Sequence, residues 1–206
     1  MSISPKLFQI TLIDLQKDLC EEWQKSFKNN PEVKIIHGQF ESIKEYDCLV
    51  SPANSFGLMD GGIDLAIRNY FGMKIQYNVQ KRIQKDFYGE QPVGTSIIVF
   101  TENEDHPFLA HTPTMRVPSD ISITDNVYNA FFAMLTAIAN YNKNNKVRIH
   151  KVLCPGMGTA TGKMSTKEAS RQMYTAYKNF HNPTSNMNWK NLTARHSEII
   201  GQLTNH

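Results

Sequence analysis

A chain of 206 residues is long enough for one generous α/β domain and too short for two ordinary ones. With 40% hydrophobic and 20% charged residues, its composition is that of an average globular protein with a buried core. The formal net charge is only +3, and the chain has neither a block of like charges nor a long apolar stretch, which argues against a membrane-spanning helix and against nucleic acid as the main partner.

Hydrophobic periodicity predicts alternating strands and helices along most of the chain. A strand rich in branched and aromatic residues is predicted at 6–13, and Asp14 follows it as the cap of a helix over 15–28. Ser165 is predicted to cap a helix that runs to about 180, with Glu168 completing a capping box. The other predicted strands lie at 33–36, 47–50, 95–101, 108–112 and 148–153. The other predicted helices lie at 64–71, 74–87, 126–141 and 189–203.

Strands that alternate with helices predict an α/β fold with a central mixed, largely parallel sheet, covered by helices on both faces. The domain is predicted to span 1–180, followed at 181–206 by a polar linker and a C-terminal helix. Ligands of such sheets bind beyond the carboxyl ends of the strands. Two glycine-rich turns of this chain fall at such ends, so we expect the functional site there.

The first turn, S-P-A-N-S-F-G-L-M-D-G-G-I-D-L-A-I at 51–67, connects an apolar strand to a predicted helix. Glycines at such a junction let a ligand approach the backbone, and the helix start offers unpaired N–H groups to an anion. Taken singly, Asn54 is typical of an ordinary turn, and Asp64 is typical of a carboxylate that stabilises a first helical turn. The order of Asn54, Gly61, Gly62 and Asp64 within eleven residues nevertheless favours a site for a phosphate-bearing ligand.

The second turn, C-P-G-M-G-T-A-T-G-K-M at 154–164, also follows an apolar strand. A Walker A loop is excluded, because Met157 stands where its first glycine belongs and Met164 replaces its hydroxyl residue. The dinucleotide fingerprint G-x-G-x-x-G is missed by one residue. What remains is a strand, a glycine-rich bend with exposed N–H groups and a helix start, which can hold a diphosphate without a metal. A plain structural loop is the alternative.

Few other residues suggest chemistry. Cys20, Cys48 and Cys154 have no C-x-x-C spacing, which argues against a disulfide framework or a zinc site. Cys48 and Cys154 lie in apolar strand-like runs, so we interpret them as buried, reduced thiols. His37 and His111 could contact a sugar, although a structural role is the simpler interpretation. No acid–histidine arrangement has metal-ligand spacing, so no metal is expected.

The two turns resemble those of macrodomains, the family of ADP-ribose-binding modules. The family's first signature is an apolar strand, N-A-A-N, a short spacer, several glycines and V-D-x-A-I. This chain has S-P-A-N and G-G-I-D-L-A-I, with the same number of residues between Asn54 and Asp64. The bend from Gly156 to Gly162 is similar to the family's late phosphate loop, and P-V-G-T-S-I-I-V at 92–99 resembles its mid-domain strand entry. The resemblance covers roughly residues 5–180 and implies a three-layer α/β/α fold.

The resemblance also implies roles for the matching residues. Asn54 would hydrogen-bond the distal ribose, and Asp64 would orient or activate a water there. Asp60 is outside the matching pattern and is counted with them as a third catalytic candidate that could help. Backbone amides of the two turns would hold the diphosphate, with no metal and no cofactor. The ligand-binding residues expected in this way are Gln39, Phe40, Ala53, Asn54, Gly61, Gly62, Ile63, Gly156, Met157, Gly158, Thr159, Ala160, Thr161 and Gly162.

The chain departs from the family pattern in three places. Gln39 stands where the family often has an acid that reads the adenine amino group, so it would offer an amide instead. Ser51 and Pro52 replace the first Asn and Ala of the signature. Asp60 stands where many relatives have glycine; it could act as a second catalytic carboxylate, or it could repel a phosphorylated substrate.

The sequence therefore predicts a metal-independent ADP-ribosyl hydrolase, or an ADP-ribose 1″-phosphate phosphatase, that binds ADP-ribose or ADP-ribosylated protein. Two alternatives stay open: a non-enzymatic ADP-ribose reader, and a nucleic-acid-binding module of the same fold, which the positive net charge would suit. We expect a monomer that does not associate with membranes. The start M-S-I-S-P-K lacks an apolar signal core, which together with reduced cysteines favours the cytoplasm, with the nucleus as the alternative.

Overall fold

The computed structural model describes residues 8–201, which form one six-stranded sheet with helices on both faces. The strands are β1 (Gln9–Asp14), β2 (Val33–His37), β3 (Cys48–Asn54), β4 (Ile97–Phe100), β5 (Phe108–Met115) and β6 (Lys151–Pro155). The helices are α1 (Lys17–Ser26), α2 (Gly62–Phe71), α3 (Lys74–Phe87), α4 (Asn126–Asn144), α5 (Thr166–His181) and α6 (Trp189–Ile200), with a 3-10 turn at Phe40–Ser42. The strand order is β2-β1-β6-β3-β5-β4, and of these six strands only β4 pairs antiparallel.

The predicted mixed, largely parallel sheet is confirmed, and most elements lie close to their predicted limits. The helix predicted at 74–87 coincides with α3. Ser165 caps α5 as predicted, since its hydroxyl accepts a hydrogen bond from the Glu168 N–H at 3.2 Å. The Glu168 carboxylate binds Arg171 rather than completing a capping box. Residues 6–7 and 202–203, the outer ends of two predicted elements, lie outside the described residues.

The strand β3 is longer than the sequence analysis predicted. The apolar run indicated a strand at 47–50, but β3 continues to Asn54, because Ser51 and Asn54 pair with His111 and Met115 of β5. The strand predicted at 108–112 is longer for the same reason. The motif S-P-A-N is therefore the end of a strand, and its side chains point alternately to the two faces of the sheet.

The sheet separates two hydrophobic cores. The helices α1, α4 and α5 cover one face, where Val50 packs in the same cluster as Leu12. The helices α2 and α3 cover the other face, where the adjacent residue Leu49 packs with Ile67 and Val79. Because neighbouring strand residues point to opposite faces, the result is a three-layer α/β/α arrangement with a sheet buried on both sides.

The prediction that Asp14 caps α1 is wrong. The N-cap of α1 is Gln16. Asp14 lies at the carboxyl end of β1, where one carboxylate oxygen accepts a hydrogen bond from the Gln16 N–H at 2.8 Å. The other oxygen accepts one from the Gly156 N–H at 3.1 Å. The side chain therefore links β1 to the second glycine-rich turn instead of starting a helix.

The C-terminal helix α6 packs on α5. Arg171 of α5 donates hydrogen bonds to the carbonyl oxygens of Glu198 and Ile199, both at 2.8 Å, near the end of α6. Lys178 of α5 also forms an ion pair with the Glu198 carboxylate. These contacts hold α6 on the outer surface of the layer formed by α1, α4 and α5.

The prediction of buried, unpaired thiols is confirmed for Cys48 and Cys154, and Cys20 is buried and free as well. Burial raises the pKa of each of these thiols above its ordinary value. Among the helices within residues 8–201, none combines the length and the apolar character needed to cross a bilayer.

Candidate functional site

A cleft of about 630 Å³ opens at the carboxyl ends of β1, β6, β3 and β5. Its volume lies in the range of pockets that bind small organic ligands. Both glycine-rich turns line it, one from Asn54 to Asp64 and the other from Gly156 to Gly162. Of the site residues predicted from the sequence, all except Met157 line this one cleft.

The second turn depends on glycine for its shape. A Cβ on Gly156 would lie 2.4 Å from Asp14 Oδ2, and a Cβ on Gly162 would lie 2.6 Å from the carbonyl oxygen of Gly158. Gly158 itself has φ +77°, a conformation that other residues rarely adopt, and its Cβ would lie 2.7 Å from Val127. The backbone between β6 and α5 is therefore packed tightly against the domain at these three glycines.

Met157 does not line the cleft. Its side chain is fully buried and belongs to the same hydrophobic cluster as Ile121 and Val127. The residue lies between two cleft glycines, but its side chain fills the core beneath the turn. A ligand contact through the Met157 side chain is excluded for this physical reason, and a contact through its backbone amide stays a prediction.

The start of α2 is open to the cleft. Its N-cap is Gly61, which has no side chain, and no side chain of the described residues caps this helix. Gly62 has φ +53°, and an added Cβ on Gly61 or Gly62 would meet no atom within 4 Å. The amide of Ile63 donates no hydrogen bond within residues 8–201. Unpaired amides at a helix N-terminus form a favourable site for an anion.

Asn54 stabilises the turn in which it lies. Its Nδ2 donates to the carbonyl oxygen of Leu58 at 2.7 Å, and its Oδ1 accepts from the N–H groups of Phe56 and Leu58 at 3.1 and 3.3 Å. One N–H of the side-chain amide is left for another partner. The ordinary structural role that the sequence suggested for Asn54 is therefore present in this conformation.

Asp64 lies in the first turn of α2, with only 7% of its surface exposed. Its Oδ1 accepts a hydrogen bond from the Ser51 hydroxyl of β3 at 2.5 Å. Burial raises the pKa of the Asp64 carboxyl from 3.8 to about 6; the Ser51 bond lowers this pKa and the Asp60 charge raises it further. A carboxyl group with a pKa near neutrality can exchange protons at physiological pH.

The charge of the cleft is negative. Four carboxylates line it, from Asp14, Glu41, Asp60 and Asp64, whereas no Lys, Arg or His between residues 8 and 201 is among its lining residues. This contrasts with the net charge of +3 on the chain. Any anion that binds in this cleft must therefore be held by backbone amides and neutral polar groups.

Gln39 and Phe40 lie after β2, at the place where the resemblance predicts contact with the adenine of the ligand. Phe40 is buried and packs edge-to-face with Tyr70 at 5.6 Å between ring centroids. Gln39 is exposed and has its side chain available. Neither His37 nor His111 lines the cleft: His37 contacts the Leu15 carbonyl oxygen at 3.0 Å, and His111 Nδ1 contacts Gln91 Oε1 at 2.8 Å.

Sequence reasoning missed several cleft residues. Asp14 was assigned to helix capping, and Gln16 was not considered, although its Nε2 donates to Thr159 Oγ1 at 2.8 Å across the two loops. Ser51 was noted only as a departure from the family signature, yet it is the partner of Asp64. A signal existed for Asp14 and Gln16, because they directly follow a predicted strand at the edge where ligands bind. Also missed were Thr114, Met115 and Pro118 near the end of β5.

The fold and the cleft together define an α/β ligand-binding domain with an amide-lined site at the carboxyl edge of its sheet. The Macro domain family model matches residues 50–173, more than half of the chain. The chain therefore belongs to the macrodomain family. An uncharacterized protein of Aquifex aeolicus (strain VF5) is 28% identical over 149 residues, which cover 72% of this chain and 82% of that protein.

Solved structures of macrodomains share the fold. The macrodomain of Mycobacterium tuberculosis DarG aligns with a TM-score of 0.55 at 20% identity, over 68% of this chain and 86% of that one. A mutant Oceanobacillus iheyensis macrodomain with ADPR (ADP-ribose) aligns with a TM-score of 0.54 at 16% identity, over 75% of this chain and 84% of that one. At 16–20% sequence identity, these alignments show a shared fold and nothing more.

Proposed function

We propose that the protein binds ADP-ribose in this cleft and hydrolyses the bond between the distal ribose and its acceptor. The observation that carries the proposal is the convergence of two glycine-rich turns and one buried carboxylate on a single cleft. Membership of the macrodomain family supports ADP-ribose as the ligand. The Oceanobacillus iheyensis relative that was solved with ADPR supports the same choice.

Backbone amides would hold the diphosphate. At the start of α2, the amides of Gly62 and Ile63 have no side-chain cap and carry the positive end of the helix dipole. The turn from Gly156 to Gly162 lines the same cleft. Because no basic side chain of the described part of the chain lines the cleft, these amides are the groups available there to offset the negative charge of the diphosphate.

Asp64 would act as the general base at the distal ribose. The oxygen of a water molecule would bond to the anomeric carbon while the bond from that carbon to the acceptor breaks. The departing acceptor would keep the electron pair and be protonated by solvent, while Asp64 accepts the proton of the attacking water. With a pKa of about 6, the carboxylate is ionised above neutral pH and yet basic enough for this role.

A non-enzymatic reader of ADP-ribose is the second candidate, and the hydrogen bonds that the Asn54 side chain makes within its own turn favour it. Both acceptor sites of the Asn54 Oδ1 are used by its own turn. The side chain is thus less available to fix a ribose for attack than a free amide would be. A reader would bind ADP-ribose tightly without turning over any linkage.

Isothermal titration calorimetry with ADP-ribose tests the binding step. We expect saturable heat at one ligand per chain, with a matching rise in melting temperature. AMP serves as the comparison, because it lacks the diphosphate and the distal ribose and should bind much more weakly. The absence of both heat and thermal shift at millimolar ADP-ribose would end the proposal.

Turnover is tested with proteins mono-ADP-ribosylated on acidic, Ser or Arg residues, and with ADP-ribose 1″-phosphate. We expect the wild type to release ADP-ribose from at least one of them, and Asp64→Asn to be slower by about 100-fold or more, since a positioned general base contributes about that much. Asp105→Asn is the matched control, because Asp105 is exposed and outside the cleft. Equal rates for Asp64→Asn and the wild type would refute the role of Asp64, and binding without any turnover would favour the reader.

A further inference from the structure

The four carboxylates of the cleft are not equivalent. Asp14 uses both carboxylate oxygens to accept backbone N–H groups, and Asp64 accepts the Ser51 hydroxyl from its buried position. Asp60 is exposed, and within residues 8–201 its carboxylate takes part in no hydrogen bond or ion pair. It is therefore a charged group that faces the cleft and has its full binding capacity available.

Asp60 and Glu41 lie in turns that follow different strands of the sheet. Asp60 precedes α2 in the turn that follows β3, whereas Glu41 belongs to the 3-10 turn that follows β2. In the sheet, β1 and β6 lie between β2 and β3. If the diphosphate is held between the two glycine-rich turns, Asp60 is on the side of Asp64 and Asn54, where the distal ribose and the group attached to it would lie.

We propose that Asp60 is a specificity-determining residue, which selects ADP-ribose derivatives whose anomeric substituent is cationic, such as a guanidinium group, over those that carry a phosphate. The inference rests on the proposed function and names the substrate class of the same site. It assigns to Asp60 recognition of the acceptor rather than proton transfer.

The physical basis is the sign of the charge at this end of the cleft. A guanidinium group can donate two parallel hydrogen bonds to one carboxylate, and Asp60 has both oxygens available. A phosphate on the anomeric carbon would meet two carboxylates, Asp60 and Asp64, and the lining contributed by residues 8–201 holds no Lys, Arg or His to offset its charge. Asp60 and Asp64 lie four residues apart, and the charge of Asp60 adds to the effect of burial in raising the pKa of Asp64.

The test compares the wild type with Asp60→Asn, which keeps the shape of the side chain and removes its charge. Four probes are used: ADP-ribose, ADP-ribose 1″-phosphate, an ADP-ribosyl-arginine peptide and an ADP-ribosyl-serine peptide. The measured quantity is the affinity from calorimetry for probes that are not turned over, and kcat/KM for those that are.

We expect Asp60→Asn to raise the affinity or kcat/KM for ADP-ribose 1″-phosphate, relative to ADP-ribose, by about fivefold. The same substitution should lower the value for the arginine-linked peptide, relative to the serine-linked peptide, by about fivefold. This is the size typical of a partly exposed charge pair. The effect of the substitution on both ratios should become smaller as salt is added, because salt screens the charge of Asp60. The matched control, Glu41→Gln, removes the same charge from the turn that follows β2 and should leave both ratios unchanged.

Two failures are distinguishable. If ADP-ribose binds but Asp60→Asn changes neither ratio, or changes them no more than Glu41→Gln does, Asp60 is a solvated surface carboxylate and this inference alone is wrong. If the wild type does not bind ADP-ribose at all, the proposed function is wrong and the inference is refuted with it.

Discussion

The two glycine-rich turns look alike in sequence, yet they use glycine for different reasons. In the turn from β6 to α5, the glycines are needed for packing, since an added Cβ on Gly156, Gly158 or Gly162 would lie 2.4 to 2.7 Å from another atom. In the turn from β3 to α2, an added Cβ on Gly61 or Gly62 would meet nothing within 4 Å. The turn from β6 to α5 is therefore packed at all three glycines. The turn from β3 to α2 is packed at Gly57, where a Cβ would lie 2.7 Å from Val79, but it is open at Gly61 and Gly62, where a ligand could approach.

The comparison shows that a glycine count does not reveal what a glycine does. The space around each missing Cβ separates a glycine that the fold requires from one that leaves room for a ligand. Both turns line the same cleft. The packed turn from β6 to α5 would position the diphosphate, while the open turn, at Gly61 and Gly62 before α2, would supply uncapped helix amides.

The largest expected difference between the turns concerns stability. We expect Gly158→Ala to lower the free energy of unfolding by about 3 kcal/mol, because Gly158 has a positive φ and its Cβ would clash with Val127. Gly61→Ala should change it by less than about 0.5 kcal/mol, since Gly61 has φ −149° and open surroundings. Urea unfolding of the two variants measures both values. Equal losses would show that the distinction between the turns is wrong.

The open turn also carries a carboxylate that should destabilise the fold at neutral pH. Because the folded-state pKa of Asp64 is raised from 3.8 to about 6, its protonated form stabilises the fold at low pH, and this contribution is lost as the pH rises through 6. The free energy of unfolding of Asp64→Asn minus that of the wild type should therefore be about 2 kcal/mol larger at pH 7.5 than at pH 4.

Urea unfolding at the two pH values tests this prediction, with Asp105→Asn as the control for an exposed carboxylate. A stability difference between Asp64→Asn and the wild type that stays constant across this pH window would contradict the assignment of a raised pKa to Asp64.

The contribution of one amide in the open turn can be isolated at Ile63. Ile63→Pro removes the N–H at the second position of α2, where proline is tolerated, and Ile63→Ala removes the side chain but keeps the N–H. We expect the proline variant to bind ADP-ribose about tenfold more weakly than the alanine variant, since a hydrogen bond to a charged group contributes about that much. Calorimetry on the two variants decides, and equal affinities would exclude this amide from the site.

The smallest expected effect concerns Ser51. Its hydroxyl lowers the pKa of Asp64, so Ser51→Ala should raise this pKa and move the acid side of the pH–rate profile upward by about half a unit. Ser51→Thr keeps the hydroxyl and should leave the profile close to that of the wild type. A profile unchanged in Ser51→Ala would show that the bond does not influence the ionisation of Asp64.

Much of the fold could be predicted from the sequence because local signals agreed with the final structure. The helix at 74–87 was predicted to the residue, since its apolar spacing, its preceding glycine and its end are all local features. The end of β3 was missed, because Pro52 is unusual in a strand and only the pairing of β3 with β5 extends the strand to Asn54.

The site was predictable as a set of positions, but not in its contacts. The motif order placed Asn54, Asp64 and the glycines together, yet nothing local reveals that the Met157 side chain turns into the core. Likewise, the bond from Ser51 to Asp64 and the link from Asp14 to Gly156 join residues that are distant in sequence. Such contacts depend on the register of neighbouring strands, which one sequence does not display.

The central claim is that the two turns bind one diphosphate from both sides, and a crystal structure with ADP-ribose tests it most directly. We expect phosphate oxygens within about 3 Å of amides from both the start of α2, at Gly62 or Ile63, and the turn from Gly156 to Gly162. A ligand whose diphosphate contacts only one of the turns, or lies outside the cleft, would contradict the claim.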